Sequence, residues 1–301
     1  MELTQKIDRL KKDKNAVILA HYYAPAEVQA VADYVGDSFY LAKIAKETPC
    51  EIIVFCGVEF MGESAKILNP DKKVLMPDIK ADCPMAHMAY AQKIQKMREE
   101  YDELAVVCYI NSTAELKCNS DVCVTSANAL KIVKALPNKN IYFIPDGNLG
   151  RYVKENAPEK NVILNDGCCP IHVAFDIEEL RAAKVQYPDA KVLSHPECKK
   201  EILDESDYIG STSGIIDYSV KSACREFIIC TEQGVEYELK RQSPEKTFHF
   251  VGKNCICKDM KLNTLEKLYE CLEKEKDEVT VSSETVENAL KPLRRMLELA
   301  K

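Results

Sequence analysis

Three cysteines, Cys83, Cys169 and Cys257, follow three ring-bearing residues, His21, Tyr109 and His195, at distances of 62, 60 and 62 residues. Each ring closes a short apolar run: Ala16-Val-Ile-Leu-Ala-His21, Ala105-Val-Val-Cys-Tyr109 and Ala190-Lys-Val-Leu-Ser-His195. The rings are 88 and 86 residues apart. Two residues past each stand Tyr23, Asn111 and Glu197, and 17 residues past each stand Ser38, Ser126 and Thr212. Thiols that recur once per repeat point to a metal centre with one ligand from each copy. Structural zinc takes four ligands, often in close Cys-x-x-Cys pairs. An iron–sulfur cube held by three thiolates leaves one iron open as a Lewis acid. Cysteine-only ligation allows either metal, and the threefold spacing favours the cube. Tyr23 and Glu197, at equivalent positions beside such a centre, are acid–base candidates. Ser38, Ser126 and Thr212 each precede a helical stretch, where a hydroxyl caps free N–H groups. Helix N-termini also take phosphate and carboxylate, so three of them on one axis suit a substrate set with several anionic groups. His21, His87, His195 and His249 taken singly read as hydrogen-bonded structural histidines. His172, near Cys169, has no repeat partner.

The elements that position these residues follow from the same register. Asp33, Asp121 and Asp207 open similar segments, Asp33-Tyr-Val-Gly-Asp-Ser38, Asp121-Val-Cys-Val-Thr-Ser126 and Asp207-Tyr-Ile-Gly-Ser-Thr212. Two further apolar runs recur in each copy: Glu51–Cys56, Asn140–Ile144 and Glu226–Cys230, then Lys73–Met76, Asn161–Leu164 and Thr247–Val251. Apolar runs alternating with helical stretches predict an α/β protein with parallel sheets. Copies this long exceed solenoid repeats of roughly 20–45 residues. The expectation is three homologous αβα domains around a pseudo-threefold axis, spanning residues 1–103, 104–188 and 189–275, with a C-terminal capping helix in 276–301. Helical segments at Met85–Glu100, Ile177–Gln186 and Leu265–Lys274 connect or close the domains, and a last helix, about Ser283–Leu299, takes Ser283 as its N-cap. Ligands of open α/β sheets bind beyond the carboxyl ends of the strands, so the three copies converge on one central pocket.

Composition excludes several classes. A net charge of −7 disfavours a broad nucleic-acid surface. The longest apolar runs are strand-sized, whereas a membrane helix needs about 20 apolar residues. Met1 to Lys14 is charged and amphipathic, unlike a secretory leader. Fourteen cysteines without a leader read as reduced thiols in the cytoplasm. Cys118 with Cys123, or Cys255 with Cys257, are pairs that could form a redox switch, and ordinary thiols are expected there.

The motifs resemble quinolinate synthase along nearly the whole chain. They are Leu19-Ala-His-Tyr-Tyr23, Val35-Gly-Asp-Ser38, Cys83-Pro-Met-Ala86, Val107-Cys-Tyr-Ile-Asn111, Ser120-Asp-Val-Cys-Val-Thr-Ser126, Gly167-Cys-Cys-Pro-Ile-His172, Ser194-His-Pro-Glu-Cys198, Gly210-Ser-Thr-Ser-Gly214 and Cys257-Lys-Asp-Met-Lys-Leu-Asn263. The resemblance implies condensation of iminoaspartate with dihydroxyacetone phosphate to quinolinate, phosphate and water, in de novo NAD synthesis. It implies a [4Fe–4S] cluster on Cys83, Cys169 and Cys257 with one open iron. It implies catalytic roles for Tyr23, Tyr109 and Glu197. The substrate pocket it implies comprises His21, Ser38, Tyr109, Asn111, Ser126, His195, Glu197, Thr212 and Met260. It leaves room for transient contact with an enzyme that produces iminoaspartate, and it implies no nucleic-acid or membrane partner. Two departures touch loop detail: Lys258 follows Cys257 where the family often has proline, and the chain has no tryptophan before Cys169. A cluster-bearing reductive dehydroxylase of the hydroxymethylbutenyl diphosphate reductase kind, which needs external electrons, is the rival enzyme. An iron–sulfur sensor is the rival that does no chemistry.

Overall fold

The protein, described by a computed structural model over residues 2–252 and 255–301, is built on three parallel four-stranded sheets. The first comprises β1 (Ala16–His21), β2 (Tyr34–Gly36), β3 (Ile52–Cys56) and β4 (Lys73–Leu75). The second comprises β5 (Ala105–Tyr109), β6 (Val122–Val124), β7 (Asn140–Ile144) and β8 (Asn161–Leu164). The third comprises β9 (Lys191–Ser194), β10 (Tyr208–Ile209), β11 (Glu226–Cys230) and β12 (Thr247–Phe250). Each sheet runs second–first–third–fourth strand. The pairing keeps the sequence register residue for residue. Leu19 faces Tyr34, Val107 faces Val122 and Leu193 faces Tyr208. Val17 faces Ile53, Ala105 faces Ile141 and Lys191 faces Phe227.

The repeated aspartate is a structural device. The Asp33 carboxylate accepts the Ile18 N–H at 2.9 Å, Asp121 that of Val106 at 2.7 Å, and Asp207 that of Val192 at 2.8 Å. Each aspartate's own N–H returns to the carbonyl of the same residue. This pins the entry to the second strand against the first in all three units. A carboxylate provides the acceptor that this N–H, one residue before pairing with the second strand begins, would otherwise lack.

Both faces of these sheets are buried, as parallel sheets require. Val17 and Leu19 point into one core, and Ala16, Ile18 and Ala20 into another. The connecting helices Ile177–Gln186 and Leu265–Lys274 form where expected, while the one expected over Met85–Glu100 is split into a short 3-10 turn at Pro84–His87 and a helix at Ala91–Glu100. Leu180 packs with Val192, Ile202 and Ile228 of the third unit, so a division at 188 separates that helix from the sheet it covers. Leu268, Cys271 and Leu272 return to the first sheet beside Ile7. The last helix, Ser283–Leu299, lies against the helices Glu59–Leu68 and Ala114–Cys118 and against β6. Its cap is Ser282, which accepts the Thr285 N–H at 3.1 Å, rather than Ser283.

Candidate active site

The carboxyl ends of the strands from all three units border one cavity of about 680 Å³. Each residue singled out in the sequence reaches its wall: Cys83, Cys169 and Cys257; Tyr23, Tyr109 and Glu197; His21, Asn111 and His195; Ser38, Ser126 and Thr212; and Met260. Cys168 stands outside it, half-buried, with its N–H on Met88 Sδ. Cys255 is buried in the core of the third unit.

The hydroxyls at the helix starts are free of capping duty. The preceding residue does that job: Asp37 accepts the Tyr40 N–H, and Ser211 accepts the Gly214 N–H at 3.1 Å. Ser38 and Thr212 are the first residues of the helices Ser38–Glu47 and Thr212–Lys221. Ser126 lies in a turn ahead of the helix Ala129–Ala135, and the Thr125 N–H is taken by Asn128 Oδ1 at 2.7 Å. Thr125 therefore keeps a buried hydroxyl with no partner beside the cavity. Asn111 Oδ1 and Glu197 Oε1 are likewise buried and unpartnered among the described residues. Buried polar atoms normally have partners, and these three, on the cavity wall, are free to bond a polar ligand.

Glu197 and His172 form the polar centre. Glu197 Oε2 lies 2.6 Å from His172 Nδ1 and 3.5 Å from His195 Nδ1. The two imidazoles stack with centroids 4.6 Å apart. His172 Nδ1 is also 3.2 Å from Cys169 Sγ, and its Nε2 is 3.0 Å from Thr231 Oγ1. The Tyr23 hydroxyl sits 2.9 Å from Thr212 Oγ1 and 2.8 Å from Thr231 Oγ1. Burial works to raise the Glu197 carboxyl, but His172, 2.6 Å away, outweighs it with help from the Tyr109 phenol and holds it below the carboxylate range. Burial drives His21 and His195 down to about 3, so both are neutral at pH 7. Burial also pushes the Tyr23 and Tyr109 phenols well up, so both carry their protons. The centre thus offers one carboxylate that can accept a proton and two phenols that can donate one.

The three thiols face the same space and can hold a thiophilic metal group. Burial, then the Glu197 charge, pushes Cys83 and Cys169 up, and burial raises Cys257 to about 11. Cys257 adds to the rise at Cys83, and Cys83 to that at Cys169, as neighbouring thiols do. Metal binding supplies the positive charge that makes such thiols ionise. Among the described residues on the wall, Lys258 is the one lysine or arginine. Anion binding therefore falls mainly to hydroxyls, N–H groups and any bound metal, with Lys258 adding a single cationic side chain.

Sequence reasoning left His172 undecided and passed over Asp146 and Glu232. The two carboxylates lie 37 residues past Tyr109 and His195, in the same register as the other repeated positions. In the first copy that position is Val58, so a search for residues common to three copies misses them. The remaining histidines are structural: His87 Nε2 bonds Asp82 at 2.8 Å, and His249 Nε2 bonds Glu226 at 2.8 Å. Among the described residues no disulfide links the fourteen cysteines. Cys123 pairs in register with Cys108 rather than with Cys118.

Residues 5–298 match the family model described as Quinolinate synthetase A protein. The quinolinate synthase of Fusobacterium nucleatum subsp. nucleatum is 54% identical over 298 residues, covering 99% of both chains. That of Clostridioides difficile is 51% identical over 299 residues, covering 99% of this chain and 98% of its own. That of Caldicellulosiruptor saccharolyticus is 46% identical, covering 99% of both.

Proposed function

The chain belongs to the quinolinate synthase family, and from that premise we propose that it condenses iminoaspartate with dihydroxyacetone phosphate. The products are quinolinate, inorganic phosphate and two waters. The atoms balance without any electron donor or acceptor. The observation that carries this reading is the convergence of one thiol and one set of polar side chains from each unit on a single cavity, with three buried polar atoms there left unpartnered.

The thiols of Cys83, Cys169 and Cys257 fit a [4Fe–4S] cluster, held by three thiolates with one coordination position open. When bound, such a group supplies a Lewis acid for a carboxylate, an imine nitrogen or a departing hydroxyl. The chain's own residues supply the rest. Ser38, Ser126, Thr212 and Asn111 present hydroxyl and amide donors to the two carboxylates of one substrate and the phosphate of the other. Glu197, ionised and held by His172, accepts protons during imine formation and dehydration. Tyr23 donates one from a phenol already aligned by Thr212 and Thr231. The Tyr109 phenol, on the same wall, helps hold the Glu197 carboxyl down. Neutral His21 and His195 and the side chain of Met260 shape the wall and exclude water, to which an imine is vulnerable.

This reaction places the protein in pyridine nucleotide biosynthesis, in the cytoplasm, where transient contact with an iminoaspartate-producing enzyme would limit hydrolysis of the imine. No helix among the described residues is long and apolar enough to cross a membrane. Anaerobic incubation of the reconstituted protein with both substrates tests the reading. Quinolinate formed without reductant supports it. A strict need for an electron donor would favour the reductive dehydroxylase instead.

A further inference from the structure

The loops that carry the three cysteines share one main-chain strut. The N–H three residues past the end of the third strand meets the carbonyl two residues before the cysteine in each unit: Glu59 to Ala81 at 2.8 Å, Gly147 to Gly167 at 2.7 Å and Gln233 to Cys255 at 3.2 Å. The second and third units add a side-chain strut. Asp146 accepts the Leu149 N–H on Oδ1 at 2.7 Å and the Cys169 N–H on Oδ2 at 3.1 Å. Glu232 accepts the Gly234 N–H on Oε2 at 2.6 Å, and on Oε1 the Cys257 N–H at 3.0 Å and Lys261 Nζ at 3.0 Å. Both residues have no solvent exposure. In the first unit the equivalent residue is Val58, and the Cys83 N–H is instead taken by the adjacent Asp82 at 2.6 Å.

We propose that Asp146 and Glu232 are positioning residues for the metal centre: each spans from its own loop to the backbone of one ligand cysteine and fixes where that thiolate points. A carboxylate is required because both oxygens accept, one on each side. An amide offers a single acceptor oxygen and turns its NH₂ against the other N–H. A buried N–H without a partner is costly, so the loop moves to find one and carries the sulfur with it. In the first unit no buried carboxylate reaches across to Cys83 among the described residues, so that loop has the main-chain strut from Glu59 to Ala81 without the side-chain one.

The proposal rests on the cluster reading above, and the test separates the two. Wild type, Asp146→Ser, Glu232→Gln and Ser282→Ala are reconstituted anaerobically. Iron and sulfide content are measured first, then the rate of iron release to a chelator. Serine at 146 keeps a helix cap through its hydroxyl and removes the oxygen facing Cys169. Ser282→Ala removes a cap far from the cysteine loops and controls for general loosening. The expected result is iron release about tenfold or more faster in Asp146→Ser and Glu232→Gln than in wild type, with the control unchanged. A wild type that takes up no cluster overturns the cluster reading itself. A wild type that loads, with both variants releasing iron at its rate, overturns only the brace. Equal acceleration in the control also overturns it. If one of the two variants does not fold, the other decides, since they lie in separate units.

Discussion

The first two units and the third are joined in different ways. The first two share one continuous apolar core, in which Leu41, Phe55 and Met76 belong to the same cluster as Val107, Ile132 and Phe143, with Leu293 and Met296 of the last helix packed between them. The third unit has cores of its own, to which the first lends Tyr22. Apart from its closing helix Leu265–Lys274, which packs Leu268, Cys271 and Leu272 on the first sheet, it meets the rest of the molecule through hydrogen bonds at the cavity: Tyr23 to Thr212 and Thr231, His172 to Glu197, Gln29 to the Gly234 carbonyl at 3.1 Å, and Lys261 to the Tyr23 carbonyl at 2.6 Å. The apolar joint holds the molecule together. The polar joint is where the proposed chemistry lies, because groups that must exchange protons cannot be sealed in hydrocarbon.

The largest expected effect separates these joints. Glu197→Gln, on the polar joint, should lower turnover by about 10²–10⁴-fold, since an amide cannot carry the proton. Its fold and cluster content, checked by circular dichroism and iron analysis, should match wild type. Leu293→Ala, on the apolar joint, should do the reverse. Burying less side chain and leaving a cavity should cost about 2–5 kcal/mol in denaturant unfolding, while turnover per folded molecule stays within twofold or so of wild type. If Leu293→Ala impairs kcat as much as stability, the two joints are not distinct.

Acid should weaken the polar joint selectively. His21 and His195 fall from 6.5 to about 3 on folding, so below pH 6.5 the unfolded chain takes up protons that the folded chain refuses. Stability is therefore full above about pH 6.5 and drops as pH falls toward 3, by about 1 kcal/mol per histidine per pH unit. The lowered Glu197 carboxyl adds a further loss below about pH 4.5. Urea titrations of the apoprotein across pH 7 to 4 measure this. A flat profile contradicts the buried, neutral histidines. The smallest effect on stability is expected from Ser38→Ala, Ser126→Ala and Thr212→Ala, about 0.5 kcal/mol or less for the two whose neighbours do the capping. Each should raise KM several-fold all the same. Falling melting temperature with unchanged KM would return these hydroxyls to a structural role.

Much of this was legible because the repeat keeps residues in register. Strand positions such as Leu19, Val107 and Leu193 are paired alike, and the residues beyond the strand ends fall together on the cavity. What was not legible has physical reasons. Asp37-Ser38, Ser211-Thr212 and Ser282-Ser283 each place two cap-competent residues side by side, and only backbone geometry decides which one caps, while the helix after Thr125-Ser126 starts later, with its cap position at Asn128. Asp33, Asp121 and Asp207 repeat as strictly as the cavity residues, yet they hold strands, since a strand N–H left without a ladder partner demands an acceptor as firmly as a substrate does. His172 has no counterpart in the other copies because it comes from a connecting segment. The helix Ile177–Gln186 covers the sheet that follows it, and packing partners of a connector are not written in its own pattern.

The central claim is that one thiol from each unit converges on a single cluster with an open position. Serine replacements at Cys83, Cys169, Cys257, Cys168 and Cys255, reconstituted anaerobically and assayed for iron and sulfide, test it most directly. The account predicts that the first three lose or cripple the cluster, while Cys168→Ser and Cys255→Ser keep most of it. A normal cluster in Cys169→Ser with a lost one in Cys168→Ser, or a fourth cysteine found essential, would contradict it.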